Sequence, residues 1–233
     1  MDGQTAVVTG ASRGIGAAVA RRFAAEGARV VGCARDKDDL DAVVADAEES
    51  DSEGTIEAMR ADVRDEFDVE RLMETAARGS DGGIDVVVAC AGVFHGSPGE
   101  SPLAEDAYSA FDDSFRTNAR GVFAAVKEAL PHLADDARVL VPSGNVARDA
   151  KPGYGSYAVS KAAAEAVVRQ FAAEIDQPVG VVEPGAVATD LTGGQGRDPE
   201  DAADLLYWVA TEASPDEFDG GVVGLKEFKK ATA

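Results

Sequence analysis

Tyr157 and Lys161 lie four positions apart in a stretch, residues 156–175, whose apolar spacing predicts a helix. Residues at that separation share one helix face, so the Lys161 ammonium can stand beside a phenol whose ordinary pKa is about 10. Its charge favours the phenolate. A tyrosine tuned in this way can give a proton to a carbonyl oxygen that is receiving hydride, or take one from an alcohol that is losing it. Such a pair is commonplace on helix surfaces, and a second feature lifts it above that background. The run Thr9-Gly10-Ala11-Ser12-Arg13-Gly14-Ile15-Gly16 closes a strand-like segment, residues 5–9, and opens a helix-like one, residues 14–26. Its glycines let the backbone turn tightly and approach a pyrophosphate. The helix N-terminus adds unpaired N–H groups and the positive end of its dipole.

The elements that must position these groups alternate from end to end. Strand-like runs occupy residues 5–9, 28–32, 55–59, 84–89, 137–141 and 178–182, with a weaker one at 221–224. Helical patterns fall between them at 14–26, 38–49, 66–77, 107–133, 156–175 and 199–211, the last with Pro199 in its first turn. Several strands are apolar on both alternating faces, as they are when helices cover both sides of a parallel sheet. The prediction is an α/β fold, a single doubly wound domain over residues 1–233 with about seven strands. No repeat, low-complexity segment or linker divides it.

Composition narrows the classes of function. The 233 residues carry 22 basic against 43 acidic side chains, a net charge of −21, so DNA or an anionic membrane surface would be repelled. No stretch approaches the roughly 20 apolar residues of a membrane span, and Met1 leads directly into an apolar run, so a cytoplasmic location is expected. The acids are dispersed and lysine is scarce, 7 against 15 arginines, a pattern resembling proteins of organisms that accumulate molar salt. Cys33 and Cys90 are the only cysteines and His95 and His132 the only histidines. None of them forms a cluster with metal-ligand spacing, and no metal is expected; surface or loop roles are expected for the histidines.

The glycine loop has the spacing T-G-x-x-x-G-x-G, and from about residue 3 to residue 224 the chain resembles the short-chain dehydrogenase/reductase family, motif by motif and in order. Asp62-Val63 resembles the family's adenine-contacting segment, and Ala91-Gly92 the end of its Asn-Asn-Ala-Gly motif. Asn118, in Thr-Asn-Ala-Arg-Gly, matches the asparagine of the long helix. Ser143, Tyr157-Ala-Val-Ser-Lys161, and Pro184-Gly185 with Val187 and Thr189 follow. The resemblance implies a Rossmann-type NAD(P)-dependent oxidoreductase that interconverts a ketone or aldehyde with an alcohol. Tyr157 would be its acid/base, Ser143 would polarise the carbonyl, Lys161 would hold the nicotinamide ribose, and Asn118 would anchor a water chain resupplying protons. Cofactor contacts would come from Gly10, Ser12, Arg13, Gly14, Ile15 and Gly16, and from the motif residues after later strands. The partners implied are a small carbonyl or alcohol substrate and further copies of the chain, as a homodimer or homotetramer.

Cofactor choice is expected at the end of the second strand, where a carboxylate would bind the ribose 2′-hydroxyl of NAD and repel a 2′-phosphate. Ala34 stands at that position and Arg35 follows it, favouring NADP, with Arg13 a second possible phosphate ligand. Asp36 keeps NAD possible, because it could pair with Arg35 or bind the ribose. A non-catalytic dinucleotide-binding scaffold of the same fold is the alternative. A nucleotide-sugar epimerase with the same Tyr-x-x-x-Lys pair would need a further substrate domain.

The chain also departs from the family pattern. Ala89 and Cys90 replace the two asparagines, and a thiol cannot do the work of a carboxamide. Ser143 lies 14 residues before Tyr157 where 13 is usual, so an ungapped alignment puts Gly144 in the serine's place; an insertion within residues 145–151 restores Ser143. Ser156 and Ser160, pointing away from the tyrosine's face, are weaker alternatives. Residues 190–197 are short for a substrate lid and predict an open, mobile loop. The last stretch lacks the family's terminal Asp-Gly-Gly, which bears on the usual tetramer contacts.

Overall fold

A computed structural model describes residues 1–50, 52–80 and 82–233. Seven strands form one sheet in the order β3-β2-β1-β4-β5-β6-β7, every neighbouring pair parallel. They are β1 Thr5–Thr9, β2 Arg29–Ala34, β3 Thr55–Arg60, β4 Ile84–Ala89, β5 Leu133–Pro142, β6 Val179–Glu183 and β7 Val222–Gly224. The helices are α1 Gly14–Ala25, α2 Lys37–Glu49, α3 Glu66–Arg78, α4 Tyr108–Ser114, α5 Arg120–Ala129, α6 Gly155–Ala172, α7 Pro199–Thr211, α8 Pro215–Phe218 and α9 Leu225–Ala231.

Strand alternation divides the interior into two apolar layers. Ala6, Val8, Val86 and Val88 face α1, α2 and α7, while Val7, Val87 and Val139 face α3, α5 and α6. Local chemistry delimits the helices. Asp36 and Asp65 cap α2 and α3 by accepting the N–H groups of Asp38 and Phe67, and Pro199 stands in the first turn of α7. Among the described residues no helix is long and apolar enough to cross a membrane.

Three elements differ from the sequence expectation. The helix expected over residues 107–133 is divided: α4 passes through a π-helical turn, Phe115–Ala119, into α5, and a 3₁₀ turn, Leu130–His132, ends it. β5 begins at Leu133 rather than 137, with a register shift between its pairings at Ile84 and Val86. α9 was not expected; it forms because Leu225 and Phe228 pack on the α7 side of the core, with the Phe228 ring 5.7 Å from that of Trp208.

The strand order reverses between β1 and β4, which opens a crevice beyond their C-terminal ends. Core and rim should respond differently to truncation. Phe218→Ala, at a fully buried ring, is expected to cost about 3–5 kcal/mol, and Phe67→Ala, at a ring 70% exposed, less than about 0.5 kcal/mol, read by urea unfolding.

Candidate active site

The crevice is a cleft of about 310 Å³ whose walls include the glycine loop, Cys33 and Arg35, Asp62-Val63, the Cys90–Val93 segment and the segment around Thr189. Thr9 Oγ1 accepts the Ala91 N–H at 3.1 Å, tying the ends of β1 and β4 together. Glycine is required twice. A Cβ at Gly16 would lie 2.2 Å from the Gly10 carbonyl oxygen, and one at Gly10, where φ is +69°, 2.8 Å from Ala91 Cα. Arg13 occupies the N-cap of α1 without a side-chain cap, and the first turn holds no acid, so its N–H groups stay open to an anion. Thr117 Oγ1, also in the cleft wall, is buried without a protein hydrogen-bond partner. An uncapped helix end, an orphaned hydroxyl and a cradle that a Cβ would fill all fit a dinucleotide.

Around this cradle the expected cofactor residues are drawn together. Gly10, Ser12, Arg13, Gly14, Ile15, Gly16, Arg35, Asp62, Val63, Ala91, Gly92 and Thr189 line the cleft; Pro184, Gly185 and Val187, on the approach to Thr189, and Asn118, Tyr157 and Lys161 do not line it. Arg64 grips the Asp62 carboxylate at 2.7 Å, which holds its pKa below the ordinary range, and reaches Asp113 at 2.5 Å. His95 shares a 2.8 Å hydrogen bond with the same Asp113, at the surface. Asp36 does not pair with Arg35: its carboxylate accepts the Asp38 N–H at 3.1 Å.

The loop after β6 is exposed over residues 193–198, as expected of an open segment, yet it carries internal bonds. Ala188 and Arg197 are joined by a 2.8 Å backbone bond, Thr192 Oγ1 donates to the Val187 carbonyl at 2.6 Å, and Asp190 pairs with Arg13 at 2.7 Å. The loop is stitched to itself and latched to the glycine loop.

α6 carries Tyr157, Lys161 and Glu165 at successive turns of one face. The Tyr157 ring stacks on Phe94, centroids 4.9 Å apart. The Lys161 ammonium, 9% exposed, donates to the Pro142 carbonyl at 2.6 Å at the end of β5. Burial dominates both groups. It pushes the Tyr157 phenol up to about 12 and pulls Lys161 down, against the opposing pull of Cys90 and Glu165. For Tyr157 burial is the largest influence, and it favours the protonated phenol. Cys90, on the cleft wall, is likewise a thiol, raised to about 11 by burial.

Asn118 sits in the π turn and is fully committed. Its Oδ1 accepts the Val93 N–H at 2.8 Å, and Nδ2 donates to the Val93 carbonyl and to Ser160 Oγ, both at 2.9 Å. It braces the loop after β4 against α6, and neither amide proton is left for a water. Ser156 faces Ser114 at 3.3 Å, so neither serine flanking the tyrosine replaces Ser143.

Ser143 has a partner that the sequence did not suggest. Its hydroxyl donates at 2.7 Å to Glu165, a carboxylate only 2% exposed that also faces Arg148 at 3.6 Å. Arg148 in turn pairs with Glu183 at the end of β6. A serine has one proton to give, and in this structure it is directed to Glu165. The next position is open: Gly144 is extended, and a Cβ there would meet nothing within 4 Å. Glu165, Arg148, Thr117 and Asp190 carried no motif signal; only the four-residue spacing from Lys161 pointed toward Glu165.

The profile of the short chain dehydrogenase family matches residues 4–200. A short chain dehydrogenase/reductase of Aspergillus aculeatus is 38% identical over 81% of this chain and 71% of its own. An NADPH-dependent aldehyde reductase-like chloroplast protein of Arabidopsis thaliana is 32% identical over 91% of this chain and 80% of its own. Among solved structures, a short chain dehydrogenase from Burkholderia cenocepacia in complex with NADP superposes with a TM-score of 0.84, at 28% identity over 97% of each chain. The chain belongs to the short chain dehydrogenase family, whose members are oxidoreductases acting on CH–OH groups and binding a nicotinamide dinucleotide.

Because its proton is held by Glu165, Ser143→Ala is expected to lower kcat less than about tenfold. It should cost about 1–3 kcal/mol of stability through the buried acceptor left unpaired. Steady-state kinetics beside urea unfolding checks both; a loss of activity as large as that for a Tyr157 variant would return the carbonyl to Ser143.

Proposed function

We propose that the protein reduces a ketone or aldehyde to an alcohol with NADPH, and that Tyr157 supplies the proton. One observation carries the reading: a half-buried Tyr157 ring stacked on Phe94, one helix turn from a buried ammonium that donates to the Pro142 carbonyl. When bound in the glycine cradle, the cofactor supplies the hydride. As charge develops on the carbonyl oxygen, Tyr157 delivers its proton, and the tyrosinate left behind is stabilised by Lys161 in surroundings of low dielectric. Two of the three Lys161 N–H donors lie beyond the bond to Pro142, enough to serve both a ribose hydroxyl and the phenolate. Asn118 keeps the Val93 segment against α6, and Cys90 forms part of the apolar wall.

NADPH is favoured over NADH on two grounds. Arg35 forms no ion pair among the described residues and lines the cleft, while one oxygen of the nearby Asp36 carboxylate is used to cap α2. The Burkholderia cenocepacia structure with NADP and the Arabidopsis thaliana protein described as NADPH-dependent point the same way. The acidic coat supports a high-salt cytoplasm, and residues 1–233 act as one unit that assembles as a homodimer or homotetramer.

Tyr157→Phe is expected to leave the NADPH dissociation constant within about twofold while kcat falls by about 10² or more. Fluorescence titration and turnover of a carbonyl panel test it, and comparable turnover in the variant would sink the mechanism. The pH dependence has a definite sign. Reduction uses the protonated phenol, the dominant form below about 12, so its rate does not climb between about pH 6 and about pH 9. Oxidation of the alcohol uses the phenolate, whose fraction grows with pH, so its rate rises steadily over the same interval.

A further inference from the structure

Beyond the cleft lies a second recess of about 630 Å³, joined to it through Ser12, Arg13 and Arg35. Its position follows from register. β2 and β3 run parallel with Ala34 opposite Arg60, one strand spacing of about 4.8 Å apart, so Arg35, the next residue, leaves the sheet diagonally across from the end of β3. Both guanidinium groups line this recess.

The remaining charges there are already engaged or opposed. Arg13 has a carboxylate partner, Asp190 at 2.7 Å, and Lys37 has Asp41 at 2.6 Å. Asp36, Asp38 and Asp39 also line the recess, and Asp36 is turned back to cap α2. Among the described residues neither Arg35 nor Arg60 forms an ion pair, in a chain of net charge −21 where acids outnumber bases about two to one. Two arginines without an ion pair, lining one recess, make a seat for an anion from outside the chain. The anion must be compact and able to accept several N–H donors at once, as a phosphate monoester does.

Resting on the NADPH reading above, we infer that Arg60 completes the seat of the ribose 2′-phosphate with Arg35, and that Arg13, bound to Asp190, does not. Nothing in the sequence motifs marks Arg60; only the strand register brings it there. The Arg13–Asp190 pair then serves the cleft mouth as a latch between the glycine loop and the loop after β6.

The test uses two fragments without nicotinamide, 2′,5′-ADP and 5′-AMP, titrated by calorimetry into the full-length protein and its Arg60→Gln and Arg13→Gln variants. Work at about 1 M KCl shortens the screening length to about 3 Å, so only contact ligands register. Arg60 is exposed, so the variant keeps the fold, and its 5′-AMP affinity is the internal control. The expected result is a preference of the parent protein for 2′,5′-ADP that falls at least tenfold in Arg60→Gln, with 5′-AMP unchanged, and less than threefold in Arg13→Gln. A preference unaltered by Arg60→Gln, or a loss shared equally by both fragments, would overturn the role of Arg60 and leave the NADPH reading standing. No preference in the parent protein would overturn both.

Discussion

The close approach of the glycine loop to the sheet is the constraint on which the site depends. The Gly10 carbonyl occupies space that any side chain at position 16 would need, and the Gly10 Cα abuts Ala91 at the end of β4. Gly14, with φ of +53°, faces Thr189 from the loop after β6, where a Cβ would come within 2.9 Å of a methyl group. Three strand ends therefore meet within a few ångströms of the uncapped α1 N-terminus. Larger residues would push these segments apart, and the helix dipole would no longer face a closed cradle. Parallel register does the rest. Thr9 stands level with Cys33 on one side and Ala89 on the other, so the residues just beyond the strands emerge at one rim.

Charge plays a smaller part in holding this arrangement than its abundance suggests. Arg22 with Glu26 and Asp204, and Arg120 with Glu66, pair across exposed surfaces. Pairs of that kind contribute about 0–1 kcal/mol each and are screened by salt. The two apolar layers, anchored by Phe23 and Phe218 on one face and Leu72, Met73 and Ile84 on the other, carry the stability instead. The more enclosed ionic chain from Ser143 through Glu165 and Arg148 to Glu183 serves to fix geometry. It joins β5, α6 and the end of β6 behind the catalytic face.

Much of this was legible in the sequence because period and punctuation agreed. β1 and β4 fall on the residues where alternation and apolar runs placed them, and α7 starts at its proline. The unread parts depend on partners distant in sequence. The π turn at Asn118 is invisible to a helical pattern that continues through it, and α9 exists because Trp208 offers a surface. β5 reaches back to Leu133 although Asp135 and Asp136 are exposed and polar, because pairing with Ile84 supplies what their side chains do not. Motif reading located Ser143 but could not orient it: Glu165 lies 22 residues on, and only the folded α6 brings it within 2.7 Å.

The same burial explains why the proton rests where it does. Spacing alone suggested an ammonium whose charge favours the phenolate. In the folded protein, however, both groups lose water, and desolvation opposes each charge. The arrangement that satisfies both is a neutral phenol beside an ammonium whose charge is shared with a backbone carbonyl. In the proposed reaction a phenolate appears only as the carbonyl oxygen takes its proton. The attraction of Lys161 for that phenolate is therefore strongest where charge is being transferred and nearly absent beforehand. An interaction distributed in this way lowers the barrier instead of tightening the ground state. A more hydrated Lys161 would hold its charge with less difficulty but would do less for the transition state, since water would already screen it. In the proposed reaction, the burial that shifts both residues from their ordinary pKa is thus what makes their pairing useful.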